Sequence, residues 1–450
     1  MASQKLDEKQ IQELLDKAKE PARVAVKMHA FYQGKMSTIP KCTIRDINDF
    51  AIWYTPGVAE PCRVIADSPD EIYKLTNKGN TIAVVSDGTR VLGLGDIGPE
   101  AGLPVMEGKC LLFKYLGGVD AVPIMLDAKD PDALIETVLR LQPGFGGINL
   151  EDIAQPKCFR ILDELREKAQ IPIWHDDQQG TATVTLAGLM NALKVVGKKK
   201  EEIRITFIGS GAAGSACARL IFSWGVNPET ATVVDENGIL GKHRRDFMEG
   251  TPAYKLCQTT NVEGREGGIQ EALKGSDVVI AYSKPGPGTI KPEWISDMAE
   301  DPIVFTCANP VPEIWPWEAE AAGAAVVATG RSDFPNQVNN TLCFPAIFRG
   351  VLDVRASTIS DEMCFASAEA LAGATEGPLD QYHILPKLTE SSIFPLQAAA
   401  VGMKAQEQGL AQVKMTREQL LGHATQAISS AQSATKALMR EAYIPKYSES

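Results

Sequence analysis

Two pairs of neighbouring carboxylates, Glu151-Asp152 and Asp176-Asp177, are the residues of this 450-residue chain best suited to hold a hard cation. Each pair closes a short apolar run, Gly147 to Leu150 and Ile171 to Trp174, that reads as a β-strand. Neighbours on a regular strand point to opposite faces, so a pair converges only where the strand ends and the chain bends. If the two strands are parallel neighbours, both pairs reach the same carboxyl edge, where open α/β sheets bind ligands. Four like charges gathered there either take up protons or share a cation. Oxygen ligands without Cys or His companions favour Mg²⁺ or Mn²⁺. His175, beside the second pair, reads as a structural histidine. The competing reading makes Asp152 and Asp177 helix N-caps.

A second chemistry is written in Gly209-Ser210-Gly211-Ala212-Ala213-Gly214, directly after the apolar run Ile205 to Ile208. The first glycine allows a tight turn, and the second lets backbone amides approach a pyrophosphate at a helix N-terminus. The third lets helix pack on strand. Asp235 ends the next predicted strand, where a carboxylate accepts hydrogen bonds from a ribose 2′-hydroxyl and repels a 2′-phosphate. That predicts a dinucleotide site preferring NAD. The basic run Lys242, His243, Arg244 and Arg245 offers NADP a competing phosphate contact.

These groups need a scaffold, and the apolar pattern supplies an α/β one. Lys5 to Ala30 has helical rhythm, with a break expected near Pro21. Strands are predicted at Thr81 to Val85, Val91 to Leu94 and Ala121 to Met125, and a helix at Pro131 to Leu141. From residue 146 the alternation is regular: helix Pro156 to Gln170, helix Ala182 to Val196, strand Arg204 to Ile208, helix Gly211 to Trp224, strand Thr230 to Val234. Further strands are Asp277 to Tyr282, Ile303 to Cys307 and Ala324 to Ala328. Strand–helix–strand units at this spacing imply parallel crossovers and a doubly wound Rossmann-type sheet. The tail, Gln397 to Ala442, reads as helix broken near Lys414 to Thr416. The expected division is an N-terminal substrate domain over 1–165, a dinucleotide domain over 166–390 and a helical segment over 391–450.

Composition narrows the function classes. Hydrophobic residues make up 44% and charged residues 23%, which excludes wholesale disorder. The net charge of −12 argues against nucleic acid or an anionic membrane as partner. No apolar run approaches the roughly 20 residues that cross a bilayer, and Met1 to Lys19 has no apolar signal core. Nine cysteines lie singly without a C-x-x-C pair, which reads as reduced thiols in a cytoplasmic protein.

Three further segments stand out. Asp87 to Gly98 is too glycine-rich for an ordinary strand, so backbone passes close to something there. Lys109, at the start of an apolar stretch, could be buried and titrate near neutrality, as a general base requires. A snorkelling surface lysine is the plainer reading, and a core aromatic is the plainer reading of Tyr54.

Taken together, these segments resemble malic enzymes. Tyr54-Thr55-Pro56-Gly57-Val58-Ala59 resembles the tyrosine motif of that family, and Arg90 to Asp96 with Gly108-Lys109 its glycine ribbon and lysine. Gly146 to Ile153 and His175 to Thr181 resemble the two metal motifs. Ala308-Asn309-Pro310 and Asn336 to Asn340 are similar to the late asparagine motifs of the short bacterial form. Gln179, where short members more often carry His, and the basic residue at position 90 depart from the pattern. The resemblance implies oxidative decarboxylation of L-malate to pyruvate and CO₂, with NAD or NADP and with Mg²⁺ or Mn²⁺ on Glu151, Asp152 and Asp177. Asp176 would support the ion from beside it. Lys109 would be the general base, Tyr54 the general acid, and Arg90, Asn309 and Asn340 the carboxylate holders, with Asn309 also at the cofactor. A homodimer or higher homo-oligomer is implied as well. Rival readings are an oxaloacetate decarboxylase or a malolactic activity on the same scaffold, and a non-catalytic nucleotide-sensing module.

Overall fold

The computed structural model describes residues 8–448. A long helix, α1 (Glu8–Tyr32), runs through Pro21 without a break. Pro21 is solvent-exposed, and there the proline does not end the helix as its missing N–H had suggested. The expected start at Lys5 lies outside the described residues.

Two sheets follow, the first wholly parallel and the second parallel except at one edge. The first has the order β2-β1-β3-β4, from β1 (Thr81–Ser86), β2 (Asp120–Met125), β3 (Gly147–Leu150) and β4 (Ile173–His175). Its connecting helices are α2 (Pro99–Gly117), α3 (Pro131–Leu141) and α4 (Lys157–Lys168). The sheet thus reaches past residue 165, because β4 pairs in parallel with β3 and places Leu150 opposite His175. Strand order reverses between β1 and β3, so the segments after those two strands face each other across a switch point.

Helix α5 (Thr181–Val196) leads to the second sheet and is buried from Ala182 through Leu193. It packs against α6 (Ala212–Trp224) and lies under both sheets, so one apolar core continues from Ile82 and Val84 through Trp174 and Leu186 to Ile205 and Phe207. A helix apolar on all sides is stable only when it is covered on all sides.

The second sheet has the order β10-β9-β8-β5-β6-β7, from β5 (Ile205–Ile208), β6 (Thr232–Asp235), β7 (Gly238–Ile239), β8 (Val278–Ala281), β9 (Ile303–Thr306) and β10 (Val326–Thr329). All pairings are parallel except β6 with β7. Strands β5, β8, β9 and β10 are buried along their whole length, which explains their unbroken apolar runs. This is the doubly wound sheet expected, with its switch point between β5 and β8.

The chain then returns through α7 (Phe344–Asp353), α8 (Asp361–Gly373), α9 (Ile393–Glu407) and α10 (Arg417–Arg440). Helix α10 reaches back to the first domain, where Gln432 donates to the Tyr115 carbonyl at 3.1 Å. The expected break at Lys414 to Thr416 falls in the segment between α9 and α10, and Thr416 caps the second helix by accepting from the Gln419 N–H.

Candidate active site

The segment expected as a strand at Val91 to Leu94 is instead a tight loop, with Leu92 at φ +47° and Val91 bridged to Gly95. It folds over the end of β3: the Arg90 N–H donates to the Asp152 carbonyl at 3.0 Å. A Cβ on Gly88 would collide with the Gly98 backbone, and one on Gly93 would lie 2.9 Å from the Asn309 carbonyl oxygen. The glycines are needed because backbone meets backbone on both sides of this ribbon. Asp87 anchors it, accepting from the Lys157 ammonium and from the Thr89 hydroxyl and N–H.

Beneath the ribbon the structure gathers Lys109, Glu151, Asp152, Asp176 and Asp177. Lys109 comes from the middle of α2 and is only 8% exposed. Its Nζ lies 2.5 Å from Asp176 Oδ2 and 3.0 Å from Glu151 Oε1, and 4.2 Å from the centre of the Phe344 ring. Asp176 is wholly buried, with its other oxygen accepting from the Trp174 indole at 3.0 Å. Asn149 donates to Glu151 Oε2 at 3.0 Å. Asp177 accepts from the Asp152 N–H at 2.9 Å, so the two pairs are tied across neighbouring strand ends. A Cβ on Gly180 would run into Asp176 Oδ1 and lie 3.2 Å from the Asn340 Cβ, so Asn340 borders the same turn. The turn from Asp176 to Gly180 is a π-helical one, which lets β4 pass into α5 while both carboxylates stay at the strand end.

Each of Glu151, Asp152 and Asp177 offers an oxygen, all within 4.8 Å of one another. Asp152 Oδ2 is buried without a hydrogen-bond partner, and Asp152 itself sits at φ +54°. Burial first, then the Asp177 charge, pushes the Asp152 carboxyl up to about 8. Burial, with Asp176, Asp177 and Asp152 adding to it, raises Glu151 well above the carboxylate range against the pull of Lys109. Four carboxylates face one ammonium, and a hard divalent ion is the group whose charge and oxygen preference fit that set. The capping reading fails: helix α4 begins after Pro156 without a side-chain cap, and α5 begins after Gly180.

Two sequence expectations change here. Burial by itself would lower the Lys109 ammonium, but Asp176 and Glu151 outweigh it and hold the group above its ordinary value. The plainer reading of Lys109 as a snorkelling surface lysine is thus overturned by its burial, and the carboxylates beside it were not legible from sequence either. Tyr54 is not a core aromatic. It follows a short helix, Phe50–Trp53, and is 71% exposed, and among the described residues no hydrogen bond joins its hydroxyl to the cluster. Arg90 is also exposed and turns back to the Leu92 carbonyl at 2.6 Å. His175 is fully buried and held below its ordinary value by that burial, although Asp177 and Asp176 pull the other way; neither ring nitrogen has a hydrogen-bond partner among the described residues, and Nδ1 lies 3.7 Å from Asp177 Oδ2. Trp174, Asn149, Phe344 and Asp87 were missed as supports. Only Trp174 and Asn149 carried a signal, namely adjacency to the carboxylate pairs.

The dinucleotide loop lies at the other switch point. A Cβ on Gly214 would collide with the Gly209 carbonyl, and one on Gly209 with the Tyr282 carbonyl at the end of β8. Gly209 itself sits at φ +103°. These are the steric demands that the G-x-G-x-x-G spacing implies. Ser210 accepts a bond from Ser215 through its carbonyl, and α6 starts at Ala212 and Ala213. Asp235 ends β6 as expected, but it is not free. Arg244 holds both of its oxygens at 3.0 Å and also grips Asp246. Asn309 follows β9 on the other half of the cleft, against the ribbon.

A doubly wound dinucleotide sheet set beside a carboxylate–lysine pocket defines a two-domain, nucleotide-linked oxidoreductase. The N-terminal domain of malic enzymes matches residues 33–166, and their NAD binding domain matches residues 178–406. The bifunctional malic/malolactic enzyme of Bacillus subtilis is 46% identical over 397 residues, covering 88% of this chain and 96% of that protein. The NAD-dependent malic enzyme of Geobacillus stearothermophilus is 48% identical over 379 residues, 84% and 78% of the two chains. The crystal structure of Entamoeba histolytica malic enzyme superposes with a TM-score of 0.94 at 48% identity, covering 97% of this chain and 92% of that one. This chain belongs to the malic enzyme family.

Proposed function

We propose that this chain oxidises L-malate and decarboxylates the product to pyruvate and CO₂, with NAD⁺ or NADP⁺ taking the hydride. The observation that carries the reading is the pocket in which Lys109 and the Glu151–Asp152–Asp177 triad meet under the glycine ribbon, with Asn340 against the turn from Asp176 to Gly180. With ion and cofactor bound, the triad's Mg²⁺ or Mn²⁺ supplies Lewis-acid polarisation of the substrate oxygen and the dinucleotide supplies the hydride acceptor. Lys109 takes the hydroxyl proton once it has lost its own; Asp176, held by Trp174, keeps the amine aimed at the pocket. Tyr54 returns a proton to C3 after CO₂ has left. Arg90, Asn309 and Asn340 hold the carboxylates. General acid–base steps of this kind contribute about 10²–10⁴-fold each.

NAD is the proposed preference. Asp235, Asp246 and Arg244 together carry one net negative charge at the ribose end, and Arg244 is already committed to two carboxylates. The family contains proteins named for either cofactor. The exposure of Tyr54, beside exposed Ile47, Phe50, Ile52 and Trp53, supports a homodimer in which Tyr54 serves the partner's pocket. Mixing Tyr54→Phe with Lys109→Ala protein tests that reading, since shared sites regain activity in the hybrid and self-contained ones do not. A substrate side first, a dinucleotide side after it and a helical segment from about 390 are part of the same proposal, with the first boundary moved from about 165 to beyond β4, which pairs with β3. So is a cytoplasmic location, supported by nine unpaired cysteines. Among the described residues no helix is long and apolar enough to cross a membrane.

The deciding assay follows dinucleotide reduction with malate and Mn²⁺, with and without chelator, and analyses the product. Pyruvate with reduced cofactor supports the reading; failure to reduce either cofactor sinks it. Lactate without net reduction would favour the malolactic activity named for the Bacillus relative.

A further inference from the structure

Asn309 sits on the loop after β9, and a buried carboxylate outside the metal pocket ties that loop to the one after β8. Glu313 has no solvent exposure. Its Oε1 accepts from the Ser283 N–H at 2.9 Å and from the Ser283 hydroxyl at 3.1 Å. Its Oε2 accepts from the Ala308 N–H at 3.1 Å. Ser283 lies just past the end of β8, and Ala308 lies just past β9 and directly precedes Asn309.

Backbone bonds repeat the join: the Gly286 N–H donates to the Val311 carbonyl and the Ile290 N–H to the Glu313 carbonyl, both at 3.2 Å. On the far side of Asn309, Arg331 donates to the Pro310 carbonyl at 2.5 Å while Asp333 holds its guanidinium. The ribbon presses on the third side through Gly93. No other acidic side chain among the described residues bonds to both loops.

A buried carboxylate is costly for a fold to keep, and an apolar residue of similar volume would serve packing as well or better. It is justified where two oxygens must gather donors from separate strand ends. The adenosine half of a doubly wound sheet lies on the side of Asp235, so β8, β9 and their loops form the half that receives the nicotinamide. Burial pushes the Glu313 carboxyl up to about 7, although Ser283 and Ala308 donate to its charged form.

We propose that Glu313 is a positioning residue for hydride transfer: it clamps the loops after β8 and β9 together and so fixes Asn309 and the nicotinamide side of the cleft. This rests on the malate-oxidation reading of the site. It adds a residue that touches neither metal nor substrate.

Glu313→Gln tests it. The amide keeps one acceptor oxygen but turns an NH₂ toward a loop N–H that needs an acceptor. The measurements are kcat, the KM values, and the primary deuterium isotope effect with malate deuterated at C2, alongside Mn²⁺ affinity by electron paramagnetic resonance. A displacement on the order of 1 Å lowers kcat about 10²-fold. The isotope effect should rise as hydride transfer becomes the slow step, with Mn²⁺ affinity unchanged because the triad belongs to the other sheet. Ser283→Ala, a milder change, removes one neutral donor and should cost about 3- to 10-fold with the isotope effect moving the same way. It decides the matter if the glutamine variant does not fold.

A kcat reduced only in proportion to the folded fraction, with the parent isotope effect, would make Glu313 a structural residue and overturn the proposal. A parent protein that leaves both cofactors unreduced with malate would instead remove the reading beneath it.

Discussion

Replacing Lys109 with methionine should damage stability and activity by two separable routes. Methionine keeps most of the side chain's length and packs against the Phe344 ring, so the cavity term is small and the loss is mainly charge. Asp176 then remains wholly buried, with the Trp174 indole still donating to it, and Glu151 keeps only Asn149. Breaking a buried pair in this way costs about 3–5 kcal/mol. The upper end applies to metal-free protein, because two carboxylates at 2.5 and 3.0 Å lose the same partner. Added Mn²⁺ should return part of the loss by giving Glu151 a cation. Asp176→Asn in the same chain removes the orphaned charge, so the double variant should regain much of the stability. Malate oxidation should stay down by the roughly 10²–10⁴-fold that a positioned base contributes. Urea unfolding in chelator and in Mn²⁺, together with dinucleotide reduction, measures both quantities on the same proteins. Near-parent oxidation by the double variant would refute the base assignment. An unchanged urea midpoint for Lys109→Met in chelator would refute the ion pairs.

Other perturbations read different parts of the molecule. Asp177→Asn keeps shape but removes a charged ligand, and should lower Mn²⁺-dependent activity at least about 10²-fold; activity indifferent to both chelator and substitution would end the metal assignment. Asp235→Ser frees Arg244 for a 2′-phosphate and should move the NAD/NADP ratio of kcat/KM toward NADP about tenfold, equivalent to about 1.4 kcal/mol. A parent protein already favouring NADP would show that the basic run from Lys242 governs the ribose end. Asp120, at the start of β2, accepts from Asn77 at 2.9 Å, Asn80 at 2.8 Å and Lys114 at 2.7 Å. Burial pulls its carboxyl up, yet those donors together hold it below the usual range. A depressed carboxylate stabilises the fold above its unfolded value and loses that contribution as pH falls through the folded value. Asp120→Asn should therefore cost about 1 kcal/mol near neutrality, allowing for partial solvent screening, with the gap closing in acid; an equal gap at both ends of the pH range would count against it.

Local pattern carried much of this structure. Helix Pro131–Leu141 and strand Gly147–Leu150 form where the apolar spacing placed them, since periods of 3.6 and 2 residues are set by neighbours along the chain. The carboxylate pairs and the glycine loop were legible for a related reason: a strand end and a tight turn are local events, and chemistry gathers at them. Where a local rule met an outside contact, the contact won. The run from Val91 to Leu94 is a loop because Asp152 and Asn309 lie against its backbone.

Sequence alone could name Lys109, Asp235 and Tyr54 but not say what state each is in, and it carried no signal for Glu313. The lysine is held charged by residues 42 and 67 positions away, and Glu313 draws two of its three donors from a residue 30 positions earlier. Asp235 is clasped by Arg244, and Tyr54 is exposed, with no hydrogen bond to its hydroxyl among the described residues. Desolvation and Coulomb attraction depend on distance and burial in space, which residue spacing along the chain does not encode. The residue types and strand ends were therefore determined by the sequence as read, while ionisation, pairing and exposure were decided only when the two sheets closed on one core.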